Sequence, residues 1–278
     1  MTYRPSDLRA FLDELGVKPK KRLSQNFLID GNIVRKIAQF ADINKGDRVV
    51  EIGPGPGALT EILLEAGAHV TAIEKDEVFA KALNRLQTKD KWLTVIANDV
   101  LDVAIENCYK KKAKVVANLP YHLTTPILAK LLPLNDAFES ITVMIQKEVA
   151  ERFIARPKTK EYGSFTVFLR FYSEPEYGFT VEPTCFYPRP KVKSAVVKLT
   201  LHTPPQIASS ERFFKMTRTA FQKRRKMLRA SLKDLYGTES VVSALESAQI
   251  NPLARPEDLS LDDFLRLFDI VDNPRQNI

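Results

Sequence analysis

DRVVEIGPGPG, at residues 47–57, is the stretch that decides the fold of this 278-residue chain. The β-branched residues of Asp47–Gly53 predict a short strand, and the apolar spacing of Ala58–Ala66 predicts a helix directly after the glycines. A strand, a tight glycine turn and a helix begin a βαβ unit. Because glycine carries no side chain, the backbone amides of such a turn can approach a ligand at the carboxyl edge of the sheet.

The chain beyond this turn alternates between strand and helix patterns. The predicted strands are His69–Glu74, Leu93–Asn98, Lys114–Asn118 and Ser140–Ile145, and the predicted helices are Asp76–Leu86, Ile127–Leu132 and Lys147–Ala155. Such alternation is typical of parallel βαβ units with helices on both faces of the sheet. We therefore predict an α/β fold with a Rossmann-like, doubly wound sheet over the first two-thirds of the chain.

The pattern changes after Tyr172, where prolines interrupt the chain up to Leu201. Ser194–Leu201 alternates as an edge or antiparallel strand does, and the Thr-Pro-Pro at residues 203–205 is typical of a linker. Four later segments have helical periodicity, namely Glu211–Ala220, Lys223–Tyr236, Ser240–Ala248 and Leu261–Phe268. We predict two domains, a sheet domain over residues 1–202 and a small all-α domain over residues 206–278.

The composition is that of a globular protein, with 44% hydrophobic and 27% charged residues. The apolar runs fall far short of the roughly 20 residues that a membrane span needs. No apolar stretch follows the basic start as in a signal peptide, so we expect a cytoplasmic protein without a membrane partner. Cys108, Cys185 and three scattered histidines match neither a disulfide framework nor a metal site, so we expect no metal.

The basic residues are unevenly distributed along the chain. Lys and Arg number 42 against 34 acidic residues, which gives a formal charge of +8 and favours a polyanionic partner. Lys215–Lys233, which we call the basic run, holds eight basic residues and no acidic one. Smaller clusters lie within residues 18–22, 110–114 and 189–193, and each of these alone is typical of a solvated surface.

Groups suited to an adenosine cofactor follow three of the predicted strands. Glu74 ends the second strand, 17 residues after Gly57, where a carboxylate can accept hydrogen bonds from ribose hydroxyls. Asp99 follows the third strand and could accept one from the adenine amine. The same layout also fits a nicotinamide or flavin cofactor, so a nucleotide-dependent dehydrogenase remains an alternative.

Asn118-Leu119-Pro120-Tyr121, at the end of the fourth strand, is the most discriminating tetrapeptide. The exocyclic amine of adenine is a poor nucleophile because its lone pair is delocalised into the ring. The Asn118 side-chain oxygen and the Leu119 carbonyl can accept its hydrogens, Pro120 stiffens the turn, and Tyr121 offers a ring on which an extruded base could stack. The tetrapeptide therefore indicates chemistry on an adenine amine, without a metal or a covalent intermediate.

Together these residues resemble a known family. Glu51–Thr60, Glu74, Asp99 and Asn118–Tyr121 resemble the S-adenosylmethionine-dependent adenine-N6 methyltransferases of ribosomal RNA. Further segments resemble the bacterial 16S rRNA adenine dimethyltransferases in particular, namely Lys21–Leu28, Phe186–Val192, Ser194–Leu199 and Phe221–Leu232. The resemblance covers nearly the whole chain. It departs from the family at Ser24, where glycine is usual, and at Met227, where threonine is usual.

The resemblance implies an enzyme that dimethylates the N6 amines of two adjacent adenosines near the 3′ end of 16S rRNA. Its donor would be S-adenosylmethionine, its partner the 30S subunit or its precursor during biogenesis, and it would act as a monomer. The implied cofactor-binding residues are Asn26, Leu28, Gly53, Gly55, Glu74, Asp99 and Asn118. The implied catalytic residues are Asn118, Leu119, Pro120, Tyr121 and Phe186, with Phe186 facing Tyr121 across the target base. From the residues alone, Phe186 could instead be part of the core, since a phenylalanine between strands usually packs there. Because a folded rRNA is much larger than the cofactor cleft, we expect basic residues of the C-terminal domain to bind its phosphates, namely Lys223, Arg224, Arg225, Lys226 and Arg229.

Four alternatives differ in what they require of the sequence. A DNA adenine methyltransferase more often has Asp/Asn-Pro-Pro-Tyr, whereas Leu119 stands second here. A 23S rRNA methyltransferase conferring antibiotic resistance would keep Asn118–Tyr121, but Phe221–Leu232 argues against it. A dehydrogenase leaves Asn118–Tyr121 and the basic run without a role. The protein could also bind the small subunit as a ribosome-assembly checkpoint, and this non-catalytic role can coexist with methyl transfer.

Overall fold

The computed structural model describes residues 3–20, 25–223 and 226–272. Their contacts divide the chain into two compact units. The first comprises the chain up to Ala150 together with Glu174–His202, and the second comprises Glu151–Ser173 and the chain from Thr203 onward. The sequence placed a domain boundary after residue 202, but it did not anticipate that Glu151–Ser173 groups with the C-terminal residues.

The strands form one seven-stranded sheet and one two-stranded sheet. They are β1 (Phe27–Leu28), β2 (Arg48–Ile52), β3 (His69–Glu74), β4 (Leu93–Ala97), β5 (Ala113–Asn118), β6 (Phe138–Gln146), β7 (Ser173–Val181), β8 (Phe186–Tyr187) and β9 (Ser194–Leu201). The large sheet has the order β4-β3-β2-β5-β6-β9-β7. Its strands from β4 to β6 pair in parallel, β9 runs antiparallel to β6, and β1 pairs with β8.

Helices separate most of the strands and make up most of the second unit. Those in the first unit are α1 (Pro5–Glu14), α2 (Gly31–Phe40), α3 (Ala58–Glu65), α4 (Glu77–Leu83) and α5 (Thr124–Leu131), and α6 (Lys147–Phe153) crosses the boundary. Those in the second unit are α7 (Ser164–Tyr172), α8 (Ser210–Gln222), α9 (Leu228–Ser231), α10 (Lys233–Tyr236), α11 (Thr238–Ser247) and α12 (Leu261–Asp272). None of the described helices is both long and apolar enough to cross a membrane.

The central strands are apolar on both faces, as a parallel sheet covered by helices requires. Val49 and Val50 of β2 are both fully buried although their side chains point to opposite faces. Helix α3 begins directly after Gly57, whose φ of 90° is left-handed. A Cβ there would also lie 2.8 Å from Leu83 Cδ2 of α4, so the left-handed backbone and this contact both favour glycine.

The order of the strands sets the position of the site. The chain proceeds outward from β2 through β3 to β4, then returns to place β5 on the other side of β2. The carboxyl ends of β2 and β5 therefore flank a topological switch point, where open α/β sheets bind their ligands. The predicted doubly wound sheet is confirmed, and β3 has the bounds that the sequence indicated.

Aromatic rings hold the second unit together. Phe171 of α7 lies 5.0 Å from Phe214 of α8, ring centre to ring centre, and Phe168 lies 4.8 Å from the same ring. Phe213 contacts Phe268 of α12 at 5.4 Å. Burial of these rings explains why Glu151–Ser173 groups with the C-terminal helices, since large aromatic side chains dominate core energetics.

The single helix predicted over Lys223–Tyr236 is wrong. Helix α8 ends at Gln222, and two short helices, α9 and α10, follow the described turn at Lys226 and Met227. Leu228 donates its backbone N–H to the Ala254 carbonyl at 2.9 Å, and its side chain is fully buried. These tertiary interactions of Leu228 override the local helical periodicity.

Candidate active site

A cavity of about 260 Å³ lies at the carboxyl edge of the sheet, where β2, β3 and β5 end. We call it the carboxyl-edge cavity. The predicted site residues that line it are Asn26, Gly53, Gly55, Glu74, Asp99, Asn118, Leu119, Pro120 and Tyr121. The fold thus brings together the glycine turn, the two acids and the tetrapeptide, as expected from the carboxyl ends of neighbouring parallel strands.

The glycine turn is held by hydrogen bonds with two neighbouring side chains, Glu74 and Arg85. Gly55 has a φ of 53°, and a Cβ at this position would lie 3.1 Å from the Phe27 ring. Its N–H donates to Glu74 Oε2 at 2.9 Å, which ties the turn to the end of β3. On the far side, Arg85 donates to the Pro56 carbonyl at 2.5 Å. A substituted Gly55 would therefore displace Phe27 or narrow the cavity.

Glu74 is a buried carboxylate with two backbone donors. Besides Gly55, the Asp76 N–H donates to it, to Oε1 at 2.8 Å. The side chain is only 7% exposed, and burial raises the pKa of Glu74 above its ordinary value, against the opposing effect of these hydrogen bonds. Each carboxylate oxygen can accept a second hydrogen bond. Glu74 therefore retains the capacity to accept from two hydroxyl groups.

Asp99 is held ionised at the rim of the cavity. Lys75 donates to Asp99 Oδ2 at 2.6 Å, and this hydrogen bond is the main reason that the pKa of Asp99 is lowered. The Leu101 N–H donates to Oδ1 at 3.0 Å. The Lys75 side chain is 59% exposed, so it can move aside for a ligand at little cost.

The Asn118 side-chain amide is oriented by a hydrogen bond. Its Nδ2 donates one of its two hydrogens to the Asn26 carbonyl at 3.1 Å, and Oδ1 is the atom of the amide that can accept from a substrate amine. Leu119 donates its N–H to the Met144 carbonyl at 3.1 Å. Because Leu119 precedes Pro120, its backbone is restricted to extended conformations, which fixes the direction of its carbonyl.

Tyr121 begins a short 3-10 turn in the wall of the cavity. Its hydroxyl lies 2.8 Å from the hydroxyl of Ser194, the fully buried first residue of β9. Burial raises the pKa of Tyr121. The phenol is therefore neutral, and its ring is anchored at the far end, in a fixed orientation for stacking.

Phe186 is part of the hydrophobic core. This residue lies in β8, opposite Leu28 of β1, and both side chains belong to the hydrophobic core at 1% and 4% exposure. Neither residue is part of the described lining of the cavity, and a position of Phe186 across the target base from Tyr121 stays a prediction. A role for the Leu28 backbone in cofactor binding stays a prediction.

The predicted RNA-binding residues belong to the second unit. Lys223 and Lys226 are exposed, Arg229 is half-buried, and Lys223 Nζ lies 3.4 Å from Asp234 Oδ2. Arg224 and Arg225 lie outside the described residues, as do Ser24 and the other residues from Lys21 to Leu23. Met227, the second departure from the family pattern, is 37% exposed.

Several residues of the site were not anticipated. Gln25, Lys75, Asn98 and His122 also line the cavity. Gln25 accepts from the Lys20 backbone N–H at 2.7 Å, while the Lys20 side chain bonds Asp76 at 2.7 Å. Of these four, only Asn98 could have been anticipated from the sequence, because it stands next to Asp99.

Among the described residues, no cluster of His, Cys, Asp and Glu side chains could hold a metal ion.

Glu51 is an acid buried beneath the glycine turn. It is 1% exposed, and burial raises its pKa to about 8, while hydrogen bonding with Thr60 opposes the shift and the nearby Glu74 carboxylate adds to it. A folded-state pKa above the unfolded value favours the folded protein at low pH, and this contribution is lost as the pH rises through about 8. Glu51 is therefore neutral at neutral pH and must be ionised while buried in alkaline solution.

Glu51→Gln is expected to remove this pH dependence. Between pH 5 and pH 9 the wild type should lose about 4 kcal/mol more in free energy of unfolding than the variant does. Urea unfolding at both pH values measures the difference. Glu65→Gln, at an exposed position of α3, is the control and should follow the wild type. Parallel pH profiles for wild type and Glu51→Gln would contradict the assignment.

Comparison with known proteins decides the family. The chain matches the family model described as ribosomal RNA adenine dimethylase over residues 16–273. The chain belongs to this family. Membership confirms the predicted methyltransferase of rRNA adenines, and it excludes the dehydrogenase alternative.

Individual relatives agree with the family over nearly the full length. Ribosomal RNA small subunit methyltransferase A of Protochlamydia amoebophila is 55% identical over 272 residues, which is 96% of each chain. A dimethyladenosine transferase from Plasmodium falciparum has a TM-score of 0.76 at 25% identity, covering 91% of this chain and 98% of that one. The 23S rRNA methyltransferase ErmE has a TM-score of 0.69 at 28% identity, covering 89% and 100%. The two structures confirm the Rossmann-like fold.

Proposed function

We propose that this family member transfers methyl groups from S-adenosylmethionine to the N6 amines of two adjacent adenosines near the 3′ end of 16S rRNA. The proposal rests mainly on the position of the Asn118 side chain. Its Nδ2 is hydrogen-bonded to the Asn26 carbonyl, and its oxygen can accept a hydrogen bond from a substrate amine beside Tyr121. The choice of 16S rRNA is supported by the 55% identical relative named for the small subunit, since the 23S enzyme is only 28% identical.

The residues of the carboxyl-edge cavity fit S-adenosylmethionine. Gly55 leaves open a position that a Cβ would fill, and the buried Glu74 carboxylate has capacity for two ribose hydroxyls. Asp99, kept ionised by Lys75, can accept from the adenine amine. Gly53 and Asn26, which also line the cavity, would bind the methionine end of the cofactor. When bound, S-adenosylmethionine supplies a methyl group on a positively charged sulfur that needs no further activation.

The protein's contribution to the reaction is orientation of the amine. Asn118 Oδ1 and the Leu119 carbonyl accept the two N6 hydrogens, which favours electron density on nitrogen rather than in the ring. The ring of Tyr121 stacks on the extruded base, held by Ser194. Each transfer would leave S-adenosylhomocysteine as the product, and the methylated amine releases one proton to water. After the first transfer a single N–H remains, so one acceptor still orients the monomethylated amine for the second.

Labelling of the RNA tests the proposal. Incubation with radiolabelled S-adenosylmethionine and unmethylated 30S particles should place label in N6,N6-dimethyladenosine of 16S rRNA. Parallel reactions with 50S particles and 23S rRNA should remain unlabelled. Label confined to 23S rRNA, or absent from every substrate, would contradict it.

We propose that the basic run binds the rRNA of the small subunit. Lys and Arg side chains there neutralise RNA phosphates, while the sheet domain holds the base. No obligate protein partner is part of the proposal, and the enzyme acts as a monomer. Because bacterial small subunits are assembled in the cytoplasm, the proposed substrate places the enzyme there.

Reversing two charges of the basic run should weaken 30S binding without changing cofactor affinity. For Lys226→Glu with Arg229→Glu, loss of two phosphate contacts predicts about tenfold or more weaker binding and a salt-dependence slope smaller by about two. Filter binding of 30S particles at several salt concentrations measures both. Lys158→Glu with Lys160→Glu, exposed positions outside the run, is the control. An unchanged slope would remove Lys226 and Arg229 from the interface.

A further inference from the structure

A second groove lies at the amino edge of the sheet, opposite the carboxyl-edge cavity. It is formed where β2, β3 and β4 begin and has a volume of about 600 Å³. We call it the amino-edge groove. Its lining includes Arg48, His69, Lys89, Lys91, Trp92 and Tyr109. None of the reacting groups described above lies in it.

The groove presents a tryptophan ring to solvent. Trp92 is 67% exposed, the largest exposed fraction among the large hydrophobic residues of the described chain. Its ring is stacked on His69 with centroids 4.9 Å apart and planes inclined by 12°. The Trp92 carbonyl accepts from the Val70 N–H at 2.8 Å, so β3 also fixes its backbone. One face of the indole is thus covered and the other is available to a flat ligand.

The surroundings of this ring are positively charged. Arg48, Lys89 and Lys91 line the groove, and its described lining contains no carboxylate. Asp90 and Glu106 are close in sequence but do not line it. The exposed Lys110–Lys112 directly follow the lining residue Tyr109, so the small basic cluster seen in the sequence lies beside the groove.

We propose that the amino-edge groove binds an unpaired nucleotide of RNA by stacking its base on Trp92. Lys89, Lys91 and Arg48 bind the flanking phosphates. An aromatic platform within a positive groove is the usual way to hold single-stranded nucleic acid irrespective of sequence. The several cations favour a polynucleotide over a free mononucleotide, because they can neutralise more than one phosphate.

The groove is a contact for RNA separate from both the catalytic cavity and the basic run. The inference rests on the proposed RNA substrate, but its test does not require methyl transfer. The two tests are independent. If RNA does not bind the amino-edge groove, 16S rRNA can still be labelled in the methylation assay. If 16S rRNA is not labelled, the titration of Trp92 fluorescence still shows whether the groove binds RNA.

Trp92 is the only tryptophan of the chain, so its emission reports directly on the groove. The full-length protein is titrated with an unstructured ten-nucleotide RNA, and with an abasic ribose-phosphate oligomer of equal length. Stacking should quench Trp92 emission at least twofold with the RNA and leave it unchanged with the abasic oligomer. Lys89→Ala with Lys91→Ala should shift the quenching curve about tenfold to higher RNA concentration.

Two outcomes of the titration would overturn the proposal. One is unchanged Trp92 emission while the anisotropy of a labelled copy of the RNA shows that it is bound. The other is equal quenching by the abasic oligomer, which would indicate phosphate binding without stacking.

Methylation kinetics give an independent measurement. Trp92→Ala should raise the KM for 30S particles about tenfold with kcat unchanged, and Trp92→Phe should restore most of the loss, because stacking is worth about that factor per base. Leu253→Ala, at a residue that is 59% exposed in the second unit, is the matched control. A wild-type KM in correctly folded Trp92→Ala would exclude this contact from substrate binding.

Discussion

Asn118→Ala is expected to slow methyl transfer to 30S particles by about 10²–10³-fold, which is the usual effect of removing one preorganised hydrogen-bonding group from a transition state. The variant loses the oxygen that accepts an N6 hydrogen and the Nδ2 donor to the Asn26 carbonyl. Single-turnover transfer at saturating cofactor and 30S measures the effect on chemistry. Since Asn118 also lines the proposed cofactor site, the Kd for S-adenosylmethionine is measured separately by calorimetry.

Two further variants identify the cause of that loss. Asn118→Asp keeps an acceptor oxygen but places a carboxylate against the Asn26 carbonyl, so an intermediate rate is expected. Asn107→Ala makes the same change at an exposed turn of the first unit and should leave the rate unchanged. A rate for Asn118→Ala within about threefold of wild type would exclude Asn118 from orienting the amine. RNA binding by Asn118→Ala without transfer would separate catalysis from a role in particle assembly.

The sheet could be predicted from the sequence because its central strands are buried on both faces. Val49 and Val50 have no exposed surface, and such strands appear as continuous β-branched runs. The positions of Glu74, Asp99 and Asn118 followed from the same reasoning, since each stands at or just after a strand's carboxyl end. Strand order then brings them together without any knowledge of side-chain contacts.

Features that depend on long-range contacts were not predictable in this way. The grouping of Glu151–Ser173 with the C-terminal helices depends on rings such as Phe171 and Phe214, which are far apart in sequence. The burial of Phe186 depends on its pairing with Leu28 across the two-residue strands β1 and β8. Two residues are too few to show a periodicity.

Within the site, hydrogen bonds from loops were the unpredictable part. The bond from Asn118 to the Asn26 carbonyl joins residues 92 positions apart, and it determines which atom of the amide faces the substrate. The ion pair of Lys75 with Asp99 likewise depends on how two strand ends are placed. Sequence spacing identified the chemical groups but not their partners.

Glu74→Gln is expected to weaken binding of S-adenosylmethionine by about 10²-fold or more, because hydrogen bonds to a buried charged group contribute about 1.5–3 kcal/mol each. The carboxylate accepts from the Gly55 and Asp76 N–H groups through separate oxygens. An amide offers one oxygen and turns an NH₂ donor toward one of these backbone donors. The change therefore removes a ribose acceptor and disturbs the glycine turn at once. Calorimetric titration with S-adenosylmethionine measures the loss.

The pH dependence of binding tests whether the charge of Glu74 is responsible. Because burial raises the pKa of Glu74, the carboxylate becomes protonated at a higher pH than an ordinary glutamate does. Acceptance from two hydroxyls requires the ionised form, so wild-type affinity should fall as the pH decreases through this raised pKa. Glu74→Gln lacks that titration and should show a flatter profile.

Glu77→Gln, at an exposed position in the first turn of α4, removes one negative charge three residues away and is the matched control. It should keep wild-type affinity and the wild-type pH profile. Equal affinities for wild type and Glu74→Gln at pH 8 would show that the ribose is not bound by this carboxylate. If Glu74→Gln binds S-adenosylmethionine more weakly but with the same pH dependence as the wild type, a group other than Glu74 is responsible for the titration. The loss of affinity would then come from the disturbed glycine turn.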